Sequence, residues 1–117
     1  MILNGKCKED FEKWLSEKFN NEFLEGNNRR FEFYTAKWFD NFTPSMQYGM
    51  LEDFFDGVRI YLEITRHMIS ESFYFIYTDT NTGFKIISNS GRSNGYNTRP
   101  EARTKAIEKA NECYNER

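Results

Sequence analysis

Hydrophobic positions recur along this chain with two different periods. Phe11, Trp14, Leu15 and Phe19 fall three and four apart, which predicts an amphipathic helix. The reading places its start near Lys8, with Glu9, Asp10 and Glu12 in the first turn, where a helix dipole favours acids. The "EGNN" at 25–28 marks a loop. Residues 29–42 fit two templates. Phe31, Tyr34, Trp38, Phe39 and Phe42 suit a helix, whereas Phe31, Phe33 and Thr35 suit an alternating strand; the helix is preferred. Residues 43–57 read as a second clear helix. Thr43 caps it, Pro44 sits where a missing N–H costs nothing, and Met46, Met50 and Phe54 form one stripe beside Gln47, Leu51 and Phe55. Gly57 can end this helix in the left-handed conformation; the rival is a hairpin turning at Asp56-Gly57, and the helix is preferred because its period-four stripe runs unbroken to the turn.

The period then changes to two. Val58, Ile60, Leu62 and Ile64 alternate with Arg59, Tyr61, Glu63 and Thr65, the pattern of a half-buried strand. "SFYFIYT" (72–78) and "FKIIS" (84–88) predict two more strands around a "DTNTG" turn, and "NSGRSNGYN" (89–97) reads as loop. Thr98 and Glu101 then form a capping box that opens a closing helix. Its inner face is Ala102, Ala106, Ile107, Ala110 and Tyr114; its outer face is Arg103, Lys105, Glu108, Lys109 and Glu112, expected in solvent. The expectation is one α+β domain over residues 1–117. N-terminal helices and a C-terminal helix pack on a three-stranded antiparallel sheet, with Val58, Ile60, Leu62, Ile64, Ala106 and Ile107 in the core.

Composition sharpens this in three respects. Aromatics reach 18%, with 12 Phe, which argues against disorder and suggests either a ring-filled core or rings left for a partner. The net charge of −2 excludes a global basic field, but it is uneven. Residues 1–56 carry 7 basic and 11 acidic side chains, whereas 85–105 hold Lys85, Arg92, Arg99, Arg103 and Lys105 against Glu101 alone. Cys7 and Cys113 have no metal or redox spacing and are expected as free thiols. The opening residues lack the apolar run of a signal peptide, and no stretch nears the ~18 apolar residues of a membrane span. A cytoplasmic location follows as the expectation.

No catalytic motif stands out, and no cofactor or metal site is expected. His67 is isolated. The carboxylates Glu52, Asp53 and Asp56 of "EDFFD" read as the wet side of a helix whose Phe54 and Phe55 face inward. "GRSNG" (91–95) lacks the lysine and hydroxyl residue of a P-loop. Two surfaces remain as candidates. Lys85, Arg92, Arg99, Arg103 and Lys105 could contact phosphate or a partner near the last helix's N-terminus. Arg59, Tyr61 and Glu63, with Tyr74 or Tyr77 beside them and Tyr74 preferred, could form a protein-binding sheet face.

Three segments resemble a known group. The "FEKW" helix (Phe11–Trp14), the "MQYG…DFFD" segment (Met46–Gly49 and Asp53–Asp56) and the "TRPEAR…AIEKANE" helix (Thr98–Glu112) are similar to small proteins encoded by phages, prophages and mobile elements of gut bacteria. That resemblance covers most of the chain. It implies a phage-related origin and no assigned activity. A looser resemblance is to double-stranded-RNA-binding domains, whose order is also helix, three antiparallel strands, helix. It would place Arg99, Arg103 and Lys105 on phosphates, although the glycine-proline-histidine type loop of those domains is absent. The expected function is a non-enzymatic interaction module that binds a host or phage protein; the alternative is nucleic-acid binding through the 85–105 segment.

Overall fold

The computed structural model describes residues 2–23, 39–67, 71–80, 85–88 and 95–117, with the backbone alone for 19–23 and 85–88. In chain order the elements are α1 (Gly5–Phe23), α2 (Pro44–Gly57), β1 (Ile60–Arg66), β2 (Phe73–Asp79), β3 (Lys85–Ser88) and α3 (Arg99–Asn115). The mixed α+β class read from the two periods is the one observed. β1 and β2 pair antiparallel over their whole length, from Ile60 opposite Asp79 to Arg66 opposite Phe73. The short β3 runs antiparallel to β2 on its other side, from Ser88 opposite Ile76 to Lys85 opposite Asp79. Of the ambiguous 29–42 stretch, residues 39–41 are helical; 29–38 lie outside the described residues.

Strand parity sorts the sheet into two faces. Ile60, Leu62 and Ile64 of β1 stand opposite Asp79, Tyr77 and Phe75 of β2 on the helix-covered face. α3 lies against both strands, α2 against β1, and α1 against the two other helices. Ala102, Ala106 and Ala110 are fully buried along α3, with Ile107 beside them. Rings fill the space between the helices. Phe11 meets Phe54 edge-on at 5.4 Å and Phe39 at 5.0 Å, while Trp14 meets Phe54 at 5.7 Å. Such edge-to-face pairs add roughly 0.5–1.5 kcal/mol each beyond the area they bury. Of the expected core, Ile60, Leu62, Ala106 and Ile107 are buried, whereas Val58 and Ile64 are half-buried at its margin.

Both caps read from the sequence are present. The Met46 N–H donates to the Thr43 hydroxyl at 3.4 Å, and the Glu101 N–H to that of Thr98 at 3.3 Å. The Glu101 carboxylate accepts from the Asn97 N–H at 3.2 Å, one residue ahead of the Thr98 N–H that a capping box engages, so only the Thr98 half of the box is formed as read.

Three expectations are corrected. First, α1 begins at Gly5, three residues before the expected start, and its first turn holds no acid. Its end is capped from the far end of the chain. The Asn115 carboxamide oxygen accepts from the Cys7 N–H at 2.8 Å, and its Nδ2 donates to the Asn4 carbonyl at 3.0 Å. Asn111 adds a reciprocal pair, accepting from the Asn4 N–H and donating to Asn4 Oδ1. Second, β1 starts at Ile60 rather than Val58. Val58 and Arg59 form the exit turn of α2, donating to Phe55 and Asp56 carbonyls, each at 3.1 Å. The left-handed residue of this turn is Arg59, with φ 65°, and not Gly57. Third, Tyr96 sits in the expected loop yet pairs with Phe73 through two 2.8 Å backbone bonds and stacks on Phe75, so it prolongs the sheet beyond β3.

One carboxylate is buried in the sheet. Asp79 accepts from the Tyr77 hydroxyl at 3.1 Å and from Arg117 Nη2 at 3.2 Å. The same Arg117 nitrogen donates to the Val58 carbonyl at 2.7 Å, which ties the exit turn of α2 to the end of α3.

Two outcomes follow for stability. Ala106 has no exposed surface, so Ala106→Leu should cost about 1–3 kcal/mol in urea unfolding through overpacking. Asp10 accepts from Lys6 at 2.7 Å and from the Tyr114 hydroxyl at 2.5 Å. The Lys6 bond first, and the Tyr114 bond second, hold its carboxyl below the usual range. A carboxyl lowered by folding stabilises above its unfolded value of about 3.9 and loses that contribution as pH falls through the lower folded value. Urea midpoints taken from neutral to acid pH should therefore converge for wild type and Asp10→Asn at the acid end; a constant gap between them would contradict this.

Candidate functional site

The first turns of α2 and α3 come together on one side of the molecule. Between them lies a cleft of about 430 Å³, lined by Pro44, Ser45 and Gln47 from α2, by Glu101, Arg103, Thr104 and Lys105 from α3, and by Tyr96. Each capping signal is local, but only the fold sets the two helix starts side by side. Two positive dipole ends thus share a cleft with Arg103 and Lys105, an arrangement suited to an anion. The Glu101 carboxylate on the same wall opposes that tendency.

The cations have individual partners. Arg103 is half-buried, with its guanidinium 5.3 Å from the Tyr48 ring centre and Nη1 donating to Ser45 Oγ at 3.2 Å. Burial, and then the Glu52 carboxylate, push the Tyr48 hydroxyl above its usual range. Lys105 pairs with Glu108 at 3.2 Å. Arg99 lies over Phe73, 5.1 Å from the ring centre. The structure therefore brings Arg103 and Lys105 to the cleft and puts Arg99 on the Phe73 ring. Lys85 stands in register with Asp79 on β3, and Arg92 lies outside the described residues. Ser45, Gln47 and Tyr96 had no signal in the sequence beyond their nearness to a cap. Arg103 and Lys109, expected largely in solvent, are half-buried.

The second candidate surface is the sheet face turned away from the helices. Tyr61, Glu63 and Thr65 of β1 stand opposite Thr78, Ile76 and Tyr74 of β2. Tyr61 is 44% exposed and Tyr74 half-buried near His67. Arg59 does not belong to this face, because it occupies the turn before the strand. Ile76 and Thr78 were missed, although the register of an antiparallel hairpin would have named them.

The remaining chemistry is sparse. Among the described residues no group of three His, Cys, Asp or Glu could hold a metal ion. Cys7 is buried, and burial pushes its thiol up to about 12, away from thiolate reactivity. Asp53 and Asp56 are exposed beside buried Phe54 and Phe55. Among the described residues no helix is long and apolar enough to cross a membrane. Compared with protein families, curated proteins and solved structures, the chain gives no match.

The two cleft cations should differ in stability. Arg103→Ala removes a half-buried ring contact and should cost about 0.5–1 kcal/mol. Lys105→Ala, which removes an exposed i,i+3 pair, should stay within about 0.5 kcal/mol. Urea denaturation of the two variants checks the order.

Proposed function

We propose that this protein is a non-enzymatic interaction module of phage or mobile-element origin. It acts in the host cytoplasm by binding a partner protein through the outer face of its sheet. The observation that carries the reading is the exposure of Tyr61, at 44%, on a strand face shared with Glu63, Tyr74 and Ile76. An exposed ring set among polar and aliphatic side chains is the kind of anchor that protein interfaces bury. The origin rests on the resemblance of the three sequence segments. The aromatic surplus now supports the reading less than composition suggested. Phe11, Phe39, Tyr48, Phe54, Phe55, Phe75 and Tyr77 are all consumed by the core.

Nucleic-acid binding is the second reading, favoured by the convergence of two helix starts with Arg103 and Lys105. The loose resemblance of the sequence to double-stranded-RNA-binding domains points the same way. Against it, Arg99, Arg103 and Lys105 each have an intramolecular partner, and together they form no continuous stripe.

Tagged full-length protein incubated with host lysate should recover a stoichiometric protein. Nuclease treatment should leave that recovery intact. Tyr61→Glu should abolish it while leaving the melting temperature unchanged. Recovery lost on nuclease treatment would overturn the proposal in favour of the second reading. So would a salt-steep gel shift that disappears when Arg99, Arg103 and Lys105 are all changed to Ala.

A further inference from the structure

The clasp between Asn4 and α3 has a chemical consequence. Gly5, the first residue of α1, has φ +60°, and a Cβ there would lie 3.1–3.2 Å from the Asn115 carboxamide. Both facts call for glycine at this position. The requirement creates an Asn-Gly pair, the sequence most prone to deamidation, because glycine puts no side chain in the way of ring closure. In that reaction the Gly5 nitrogen attacks Asn4 Cγ. The new C–N bond closes a succinimide, and the Asn4 amide nitrogen leaves as ammonia with the Gly5 proton. One water then opens the ring to aspartate or isoaspartate. The nucleophile is not engaged within the helix, since the first N–H groups of a helix have no intrahelical acceptor.

The electrophile is held. Asn4 Oδ1 accepts from Asn111 Nδ2 and from Asn115 Nδ2, each at 2.9 Å. The Asn4 N–H donates to Asn111 Oδ1 at 3.0 Å, and its carbonyl accepts from Asn115 at 3.0 Å and from the Lys8 N–H at 3.2 Å. Side chain and backbone of Asn4 are thus fixed together, and ring closure must turn both. We propose that Asn4 is a deamidation site gated by α3: protected while Asn111 and Asn115 hold it, and reactive when the clasp opens. The two products have opposite effects. Aspartate keeps the accepting oxygen and puts a negative charge at the start of α1, which the helix dipole favours. Isoaspartate inserts a methylene into the backbone, so the bonds to the Asn4 N–H and carbonyl no longer fit α3 together.

The test is peptide mapping by mass spectrometry of the full chain, incubated at mildly alkaline pH in buffer and in urea. Asn94-Gly95, the other Asn-Gly pair, serves as the unfolded-state reference in urea. Deamidation at Asn4 should match that reference in urea and be at least about tenfold slower in the folded chain, because it then waits on local opening. Asn115→Asp keeps an acceptor for the Cys7 N–H but loses both donors to Asn4, so it should raise the folded-state rate severalfold. Asn115 is exposed, and Asn115→Ala provides a second variant with the same expected direction. Equal rates in buffer and urea would overturn the proposal. So would a protected rate unchanged in both variants while they remain folded by thermal melt, since protection would then come from elsewhere.

Discussion

The close approach of α3 to the sheet is the constraint on which the other contacts depend. It is set by three alanines four residues apart, each fully buried. Their side chains gain little by burial, since hydrophobic stabilisation scales with apolar area. What they supply is proximity. With the helix backbone brought down on β1 and β2, its remaining sides reach the rest of the molecule. Its N-terminal end comes beside the first turn of α2, and its C-terminal end delivers Asn111, Tyr114, Asn115 and Arg117 to α1 and to the α2 exit turn. The larger hydrophobic gain comes from the rings of Phe11, Phe54 and Phe55, and α3, packed on both α1 and α2, helps hold the cross-helix pair of Phe11 with Phe54 in place.

The polar contacts around α3 act mainly on specificity. Burying Asp79 carries a desolvation cost that its bonds to Tyr77 and Arg117 offset only in one geometry. Asp79 ends β2, opposite the first residue of β1, so a slip of one residue between these strands would carry the carboxylate to the other face. The Asn4–Asn111–Asn115 cluster does the same for α1. The Asn111 and Asn115 carboxamides each donate and accept, the Asn4 carboxamide oxygen accepts from both, and the match is lost if α1 shifts by a turn.

Features with short-range causes were legible in the sequence. The Thr43–Pro44 start and the Thr98–Glu101 box depend on residues within one turn, and the alternation from Ile60 onward needs only a strand with one covered face. Features settled by distant partners were not. The start of α1 is capped by Asn115, more than a hundred positions away, so a local reading moved it to the nearest acidic turn. Arg59 has the parity of Tyr61 and Glu63, and parity cannot show that the turn out of α2 takes two residues before pairing begins. Tyr96 stands among glycine, asparagine and serine, and only its bonds to Phe73 make it part of the sheet. Likewise Tyr61 and Glu63 were legible as one surface from their period, but separating Tyr74 from Tyr77 took the strand register, and the cleft joins residues near 45 with others near 103.

The candidate surfaces differ in what a ligand must undo. An anion entering the cleft competes with Ser45 and the Tyr48 ring for Arg103, and with Glu108 for Lys105. Each of these contacts is weak, of order 1 kcal/mol or less. Their loss is affordable singly, but it is subtracted from a binding energy that Glu101 already reduces. The sheet face is free of that subtraction at its main anchor. Tyr61 is a large ring left 44% exposed, and covering it releases water from apolar surface while its hydroxyl can remain at the rim. A tyrosine ring also has fewer rotatable bonds than an arginine or lysine, so less side-chain entropy is lost on docking it than on fixing the long cations of the cleft. On these grounds the sheet face is the surface that the proposed partner would cover at the lower cost.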